Sequence, residues 1–388
     1  MIDFVAALEA DLPNYLHDLE TVVNIDCGTH TKPGVDAVGR LVRERFREFG
    51  AEVIDFPQEQ FGDCVYGRWR APSTRSGRSA RILLIGHMDT VYPEGTVSQF
   101  SFRKLAGRLM GPGVNDMKSG LLAGIYALNA VVRSGFDQFA EIGMFCNSEE
   151  EIGSPVSQPA YTQFAKGADA VLILEPARES GAIVSARKGV GHYDIVVHGK
   201  SAHAGVEPEK GANAILALAR YTEALQALNG FRPGLTLNVG VVRGGTRSNV
   251  VADHAEAQVD VRIARAADAA PLEQAMREIL AREVVPGTKA EMTGGISNPP
   301  MEKTEASARL LAYAKNAAHE LGFEIEDVST GGGSDGNYTA ALGTPTLDGL
   351  GPVGGKSHNA MEEWRDPKSI VPRTALLAKL IVAIAENK

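Results

Sequence analysis

Three apolar runs in this sequence end in clusters of ionisable residues, a pattern suited to holding metal ions. Ile82–Ile85 leads into Gly86-His87-Met88-Asp89, Ile142–Cys146 into Asn147-Ser148-Glu149-Glu150-Glu151, and Ala170–Leu174 into Glu175-Pro176. A buried strand that runs straight into consecutive carboxylates is costly, because unpaired buried charge is strongly disfavoured. No Lys or Arg cluster lies nearby in sequence, so a bound cation is the simplest compensation. His nitrogen and carboxylate oxygen suit Zn²⁺, and Co²⁺ or Mn²⁺ accept the same donors. The cysteines Cys27, Cys64 and Cys146 are widely spaced, with no pair at zinc-site spacing, so His and carboxylates must carry any metal. His87 and Asp89 stand two apart and share one face of an extended chain. Asp89 either accepts the second N–H of His87 or shares its side of the site; the first role, which fixes the imidazole tautomer, is favoured. Asp116 lies in the Gly-rich loop Gly111-Pro112-Gly113-Val114-Asn115-Asp116, where backbone can approach a crowded site. One carboxylate there is able to bridge two metals.

Taken singly, each residue has a plainer reading. His87 would be a strand-end histidine and Asp116 a turn aspartate. Glu149–Glu151 would be an acidic helix start, where the dipole welcomes negative charge. Glu175 would mark a strand ending before proline. Only the ensemble promotes them. Of the other histidines, His17 and His319 sit in helical patterns at the surface, His192 and His198 share the polar face of a strand, and His254 follows an aspartate in a turn. His30 has no assigned task. Arg187-Lys188-Gly189 marks the domain crossover and reads as a hinge in preference to a substrate contact or a solvated turn, and Cys146 reads as a buried core thiol.

The elements that must position these groups alternate between strand and helix. Val35–Phe49 has helical apolar spacing, Ala51–Asp55 reads as a strand, and Gly120–Ser134 as a helix. A Ser/Arg/Pro loop at Ala71–Arg78 precedes Ile82–Ile85. Continuous apolar runs suit central strands covered on both faces. The expected fold is α/β with a mainly parallel sheet, its ionisable groups at the carboxyl ends of the strands, where open α/β sheets build sites. After about Arg187 the texture changes. In His192–His198, Tyr193, Ile195 and Val197 face one way and the polar residues the other. Helical spacing follows at Ala212–Leu228, then strands at Leu235–Val242 and Ala255–Ile263. This reads as an inserted α+β domain with a small antiparallel sheet wet on one face. The segment closes near Pro299-Pro300, and a helix at Ala306–Leu321 resumes the first texture. The expected domains are 1–187 with 298–388, and 188–297.

The chain has 388 residues, 44% of them apolar, with a net charge of −9. Its length favours two domains over one. With no Lys/Arg run, nucleic acid is not expected as a partner. No apolar run approaches a membrane span. The beginning Met1-Ile2-Asp3-Phe4 lacks a basic start followed by an apolar stretch. Together with sparse cysteines, these features lead to the expectation of a cytoplasmic protein with no membrane partner.

The ordered set of motifs resembles the two-zinc aminoacylase/carboxypeptidase family, which includes glutamate carboxypeptidase, acetylornithine deacetylase and succinyl-diaminopimelate desuccinylase. The residues that carry the resemblance are Gly86–Val91, Gly113–Lys118, Glu150-Glu151-Ile152-Gly153-Ser154, Glu175-Pro176 and Gly199-Lys200-Ser201-Ala202-His203-Ala204-Gly205. The resemblance implies a zinc-peptidase-like catalytic domain with a dimerisation (lid) domain inserted in it. It implies two Zn²⁺ per subunit, one held by His87 and Glu175, the other by Glu151 and His358, with Asp116 bridging. His358 falls in Gly355-Lys356-Ser357-His358-Asn359, near the C-terminus as the family has it. Glu150 would be the general base and Asp89 the support of His87. The family has Asp-Glu-Glu where this chain has Glu149-Glu150-Glu151, and Ile152-Gly153-Ser154 sets the register that makes Glu151 the ligand. His203 would reach the active site of the other subunit of a homodimer and stabilise the oxyanion.

The implied reaction is metal-assisted hydrolysis of an amide beside a free carboxylate, as in a glutamate carboxypeptidase; deacylation of an N-acyl amino acid is the alternative. A non-catalytic binding protein on the same fold would show a broken ligand set, and none is broken here. Asn249 sits in a loop resembling the family's substrate-touching loop. Arg262, opposite to Val261 and Ile263, offers a guanidinium fork to a small substrate's carboxylate. Gly333 and Ser334, in Gly331–Gly336, offer backbone N–H groups to the same carboxylate. The chain departs from the folate-cleaving members at Gly295-Ile296-Ser297, where they carry a substrate-binding arginine. The resemblance therefore carries the free carboxylate further than it carries glutamate in particular.

Overall fold

The computed structural model describes residues 3–71 and 80–388. Apart from Ala71, the loop expected at Ala71–Arg78 lies outside them. The chain forms two compact units, Met1–Ala186 with Lys303–Ser329 and Ser334–Lys388, and Arg187–Glu302 with Thr330–Gly333.

The first unit is built on a six-stranded sheet. Its order is Glu52–Phe56, Cys64–Arg70, Phe139–Asn147, Ala80–His87, Ala170–Ile173, Thr346–Leu347. Ala80–His87 pairs in parallel with Phe139–Asn147 and Ala170–Ile173, and Thr346–Leu347 extends the parallel part. The two strands nearest the other edge pair antiparallel. The apolar runs are continuous because both faces are covered. Ile82, Leu84, Ile142, Met144 and Leu172 enter one core with the helices Phe4–Val23, Ser119–Arg133 and Ile370–Glu386. Leu83, Ile85, Phe145, Val171 and Ile173 enter a second core with Tyr161 and Ala165 of the helix Gln158–Ala165. Period-two alternation thus feeds two cores, and the parallel strands end together. Ser119–Arg133 lies almost wholly buried. Gly120 brings that helix onto the carbonyl of Leu174, where a Cβ would stand 1.9 Å from the oxygen.

The second unit is a four-stranded antiparallel sheet, ordered Thr236–Gly244, His254–Ile263, Gly189–His198, Lys289–Asn298. Tyr193, Ile195 and Val197 are buried with residues of the helices Ala214–Gln226 and Ala269–Leu280. His192, Asp194 and His198 are exposed on the other face. His254 is the first residue of its strand and faces His198, rather than sitting in a turn. This unit also takes in Thr330–Gly333, which the bounds 188–297 leave out. The Lys188 N–H donates to Thr330 O, and the buried Arg187 guanidinium to the carbonyls of Gly332 and Gly333. With its side chain spent this way, Arg187 stitches two segments together. Three strands not expected from the sequence, Cys64–Arg70, Thr346–Leu347 and Lys289–Asn298, complete the two sheets.

Candidate active site

The carboxyl ends of the parallel strands gather the ionisable groups in the first unit. His87 ends its strand with a side chain only 1% exposed; its Nε2 is 3.2 Å from Asp116 Oδ1 and 3.6 Å from Glu175 Oε1. Its Nδ1 lies 3.0 Å from the Asp89 carbonyl and 3.3 Å from Asp89 Oδ1. The Asp89 carboxylate is buried and accepts from the Thr29 hydroxyl at 2.7 Å and from the N–H groups of Glu150 and Glu151 at 3.2 and 3.3 Å. Asp89 therefore holds the imidazole and also anchors the turn that presents both glutamates.

Asp116 divides its carboxylate, Oδ1 towards His87 and Oδ2 towards His358 Nε2 at 3.4 Å. The Asp116–Met117 peptide bond is cis. His358 Nε2 is also 3.3 Å from Glu151 Oε2. The His358 backbone lies in the left-handed region, φ +66°, which costs a non-glycine residue about 1–2 kcal/mol. Such strain persists where surroundings over-determine it, often at functional sites. Ser357, its neighbour, accepts from the Asn115 side chain at 2.7 Å, which ties the loop of His358 to the loop of Asp116.

Glu149 turns away from this cluster. Fully buried, it accepts from the Ser148 hydroxyl at 2.6 Å and from the Ser157 and Val156 N–H groups at 2.6 and 3.2 Å. Glu150 and Glu151 turn towards it. His87, Glu150 and Glu175 bring one ligand-type atom each within 4.8 Å of one another, and so do His87, Asp116 and Glu151.

Burial opposes charge on His87, yet its hydrogen bonds to Asp116 and Asp89 hold its pKa well above the ordinary histidine range. Hydrogen bonds to Asp116 and Glu151 push His358 up to about 10. Burial would raise Asp116, but the two histidines hold it below the usual carboxylate range. Burial, opposed by His87 and reinforced by Glu175, Asp335 and Glu151, pushes the Glu150 carboxyl well above its ordinary value.

The donor set fits metal ions. Buried Glu151 Oε1 has no hydrogen-bond partner, although a buried acceptor without one is costly. Buried Lys118, the basic residue next in the loop, donates to the carbonyls of Ile25 and Pro112. Two imidazoles and several carboxylates at these separations match the ligand chemistry of zinc.

The other expected residues lie elsewhere. His203, Asn249, Arg262 and Gly333 belong to the second unit. His203 and Asn249 are neighbours there: His203 bridges to Val250, and the Ala204 N–H donates to Asn249 O at 3.0 Å. The Arg262 fork is filled by Asp260, with two contacts of 2.9 Å. Gly333 offers its carbonyl to Arg187. Ser334, in the first unit, caps the helix Asp335–Ala341: its hydroxyl donates to Asp348 at 2.6 Å and accepts the Gly336 N–H at 3.0 Å, while its own N–H goes to Asn337 Oδ1. The Ser334 N–H, expected to face a carboxylate, thus serves the helix cap. Sequence reasoning missed Thr29, Asp335 and Glu363. Asp335 is buried and accepts from Asn147, Ser154 and Tyr161 behind Glu149–Ser154. Neither it nor Glu363 carries a spacing signal.

Residues 83–383 match the model of Peptidase family M20/M25/M40. Carboxypeptidase G2 of Pseudomonas sp. (strain RS-16) is 29% identical over 392 residues, covering 99% of this chain and 92% of that one. The aminopeptidase PepT of Bacillus cereus superposes with a TM-score of 0.81 at 23% identity, covering 96% of this chain and 99% of that one. A dinuclear metal-binding M20 peptidase of Bacillus subtilis superposes with a TM-score of 0.74 at 17% identity, covering 98% and 99%.

Proposed function

Because the chain belongs to Peptidase family M20/M25/M40 and is a metal-dependent hydrolase, we propose that it cleaves an amide bond beside a free carboxylate, as a glutamate carboxypeptidase does. The observation that carries this reading is the convergence of His87, Glu151 and His358 around one carboxylate, Asp116, with Glu175 against His87 and Glu151 Oε1 left unpartnered. We assign two Zn²⁺ to these residues, His87 with Glu175 and Glu151 with His358, sharing Asp116. The described dinuclear character of the Bacillus subtilis relative agrees with two ions. Bound zinc would polarise the scissile carbonyl and acidify the attacking water.

The chain's own residues do the rest. Asp89 keeps His87 in one tautomer, so that Nε2 stays aimed at the cluster. Glu150 takes the proton of the attacking water on its carboxylate and returns it to the leaving amine, base and then acid. His203 of one subunit stabilises the oxyanion in the site of the other, with the unit Arg187–Glu302 as the dimerisation and lid domain of a homodimer. Asn249 and Arg262 face the substrate carboxylate, and Arg262 does so if Asp260 yields its fork. No helix among the described residues is long and apolar enough to cross a membrane.

The test is removal of metal by a chelator, followed by metal analysis and turnover across dipeptides, folate-like glutamate conjugates and N-acyl amino acids. We expect lost activity, recovery with two equivalents of Zn²⁺, and preference for the peptide-like substrates. Activity that survives metal removal would overturn the metal reading. Preference for N-acyl amino acids would replace the carboxypeptidase assignment with deacylation.

A further inference from the structure

One buried carboxylate and one buried guanidinium grip the backbone that carries Asp116. Glu363 is fully buried. Its Oε1 accepts the N–H groups of Asn115 at 2.7 Å and Asp116 at 2.9 Å; its Oε2 accepts the Gly113 N–H at 3.0 Å and the Tyr92 hydroxyl at 2.6 Å. Four donors thus meet one carboxylate. Two residues on, Arg365 is equally buried and takes two carbonyls of the same loop, Asn115 O at 2.7 Å and Val114 O at 3.4 Å, together with Pro352 O of a separate segment. The spacing explains the pairing, since residues i and i+2 of an extended chain share a face. Trp364, between them, faces the other way and lies under the Arg108 guanidinium. The register is set by Trp364–Arg365 pairing antiparallel with Arg108–Met110, the strand that runs directly into the loop.

We propose that Glu363, with Arg365 behind it, is the positioning residue that fixes Asp116 between the two metal ions; this rests on the two-metal reading above. Asp116 must point one oxygen at the side of His87 and the other at the side of His358, and that needs its backbone held to a few tenths of an ångström. The side chain cannot supply this, because both its oxygens are spent on the site. The backbone is held instead at the Asp116 N–H, by Glu363, and at the preceding carbonyl, by Arg365. Three backbone N–H groups within four residues of a glycine-rich loop thus converge on one side chain.

Glu363→Gln keeps the shape but puts an NH₂ donor where an acceptor oxygen stood. Whichever way the amide turns, it meets at least one backbone N–H head-on. Glu363→Asp keeps both acceptor oxygens on a shorter stem. The measurement is stepwise binding of Zn²⁺ to chelator-treated protein by competition titration, with the visible and EPR spectra of the Co²⁺-loaded forms. Positioning partners of metal ligands are worth roughly 10–100-fold in metal affinity. We expect Glu363→Gln to keep its circular dichroism, to lose affinity for one of the two metals by that factor, and to lose the spin coupling between two Co²⁺ ions; Glu363→Asp should restore part of both. Glu363→Gln with wild-type affinities and a wild-type Co²⁺ spectrum would overturn the proposal. So would loss of the fold in both variants, since Glu363 would then hold the domain and not the site. A wild-type chain that binds no metal would instead overturn the reading on which the proposal rests.

Discussion

Replacing Gly120 by alanine tests how closely the site depends on the packing beneath it. The added Cβ would stand 1.9 Å from Leu174 O and 3.1 Å from Leu174 C. Carbon and oxygen need roughly 3 Å or more, so helix and strand must part by over about 1 Å. The obstacle is backbone, which cannot rotate out of the way. There is no slack around that carbonyl, because a Cβ on Gly351 would meet Leu174 O at 2.8 Å and Glu175 O at 2.9 Å. The same peptide is therefore pinned by two glycines. Alanine gains up to about 1 kcal/mol of helix propensity over glycine, while overpacking costs about 1–3 kcal/mol, and a backbone clash belongs at the upper end. The net expectation is a loss of about 1–2 kcal/mol, a Tm lower by a few degrees. Activity should suffer more. Leu174 precedes Glu175, whose carboxylate is 3.6 Å from His87 Nε2, and a misplacement of about 1 Å costs on the order of 100-fold in rate. Thermal unfolding and kcat/KM on one preparation decide it, with Gly295→Ala as control, since nothing lies within 4 Å of that position. Wild-type stability and wild-type turnover in Gly120→Ala would refute the close-contact argument; lost stability with full turnover would show that Glu175 does not follow the strand end.

Glu150→Gln should lower kcat by about 10²–10⁴-fold with metal content kept. Glu149→Gln should instead keep kcat and lose about 1–3 kcal/mol in denaturant unfolding, because it leaves buried donors unpaired; the opposite pattern would shift the register of the three glutamates by one. Cys27, Cys64 and Cys146 are all buried, and burial, with Glu149 nearby, pushes the Cys64 thiol up to about 12. At pH 8 it stays a neutral thiol, so a disulfide reagent should find no rapid thiol in native protein and three after denaturation. Fast native labelling would contradict the packing around Glu149.

The long elements were legible in the sequence because their burial is periodic. Ile82–Ile85, Ile142–Cys146 and Ala170–Leu174 are apolar at every position since each strand serves two cores, and Tyr193, Ile195 and Val197 alternate because their sheet covers one. The strand Cys64–Arg70 was not legible: Cys-Val-Tyr-Gly-Arg-Trp-Arg mixes charge with apolar residues, and its place comes from pairing with Phe139–Asn147. Lys289–Asn298, polar and glycine-rich at a sheet edge, shows as little. At the site, residues at strand ends could be found because a charge after an apolar run is conspicuous. Glu363 could not, because its partners are backbone N–H groups some 250 residues away, and backbone carries no sequence signal. Arg262 shows a different limit: the sequence suggests a guanidinium available to a ligand, while the strand face it shares with Asp260 lets the two pair.

The bond between Asn115 and Ser357 joins residues 242 apart, and that distance has a consequence for how the protein is made. His87, Asp116, Glu151 and Glu175 leave the ribosome early, then wait while the entire Arg187–Glu302 unit is synthesised. Until His358 follows, one of the two histidines facing Asp116 is missing, and with it the Asn115 anchor and the grip of Glu363. On the metal assignment proposed above, a chain ended before His358 is expected to lack turnover, so completion of the site would follow completion of the chain.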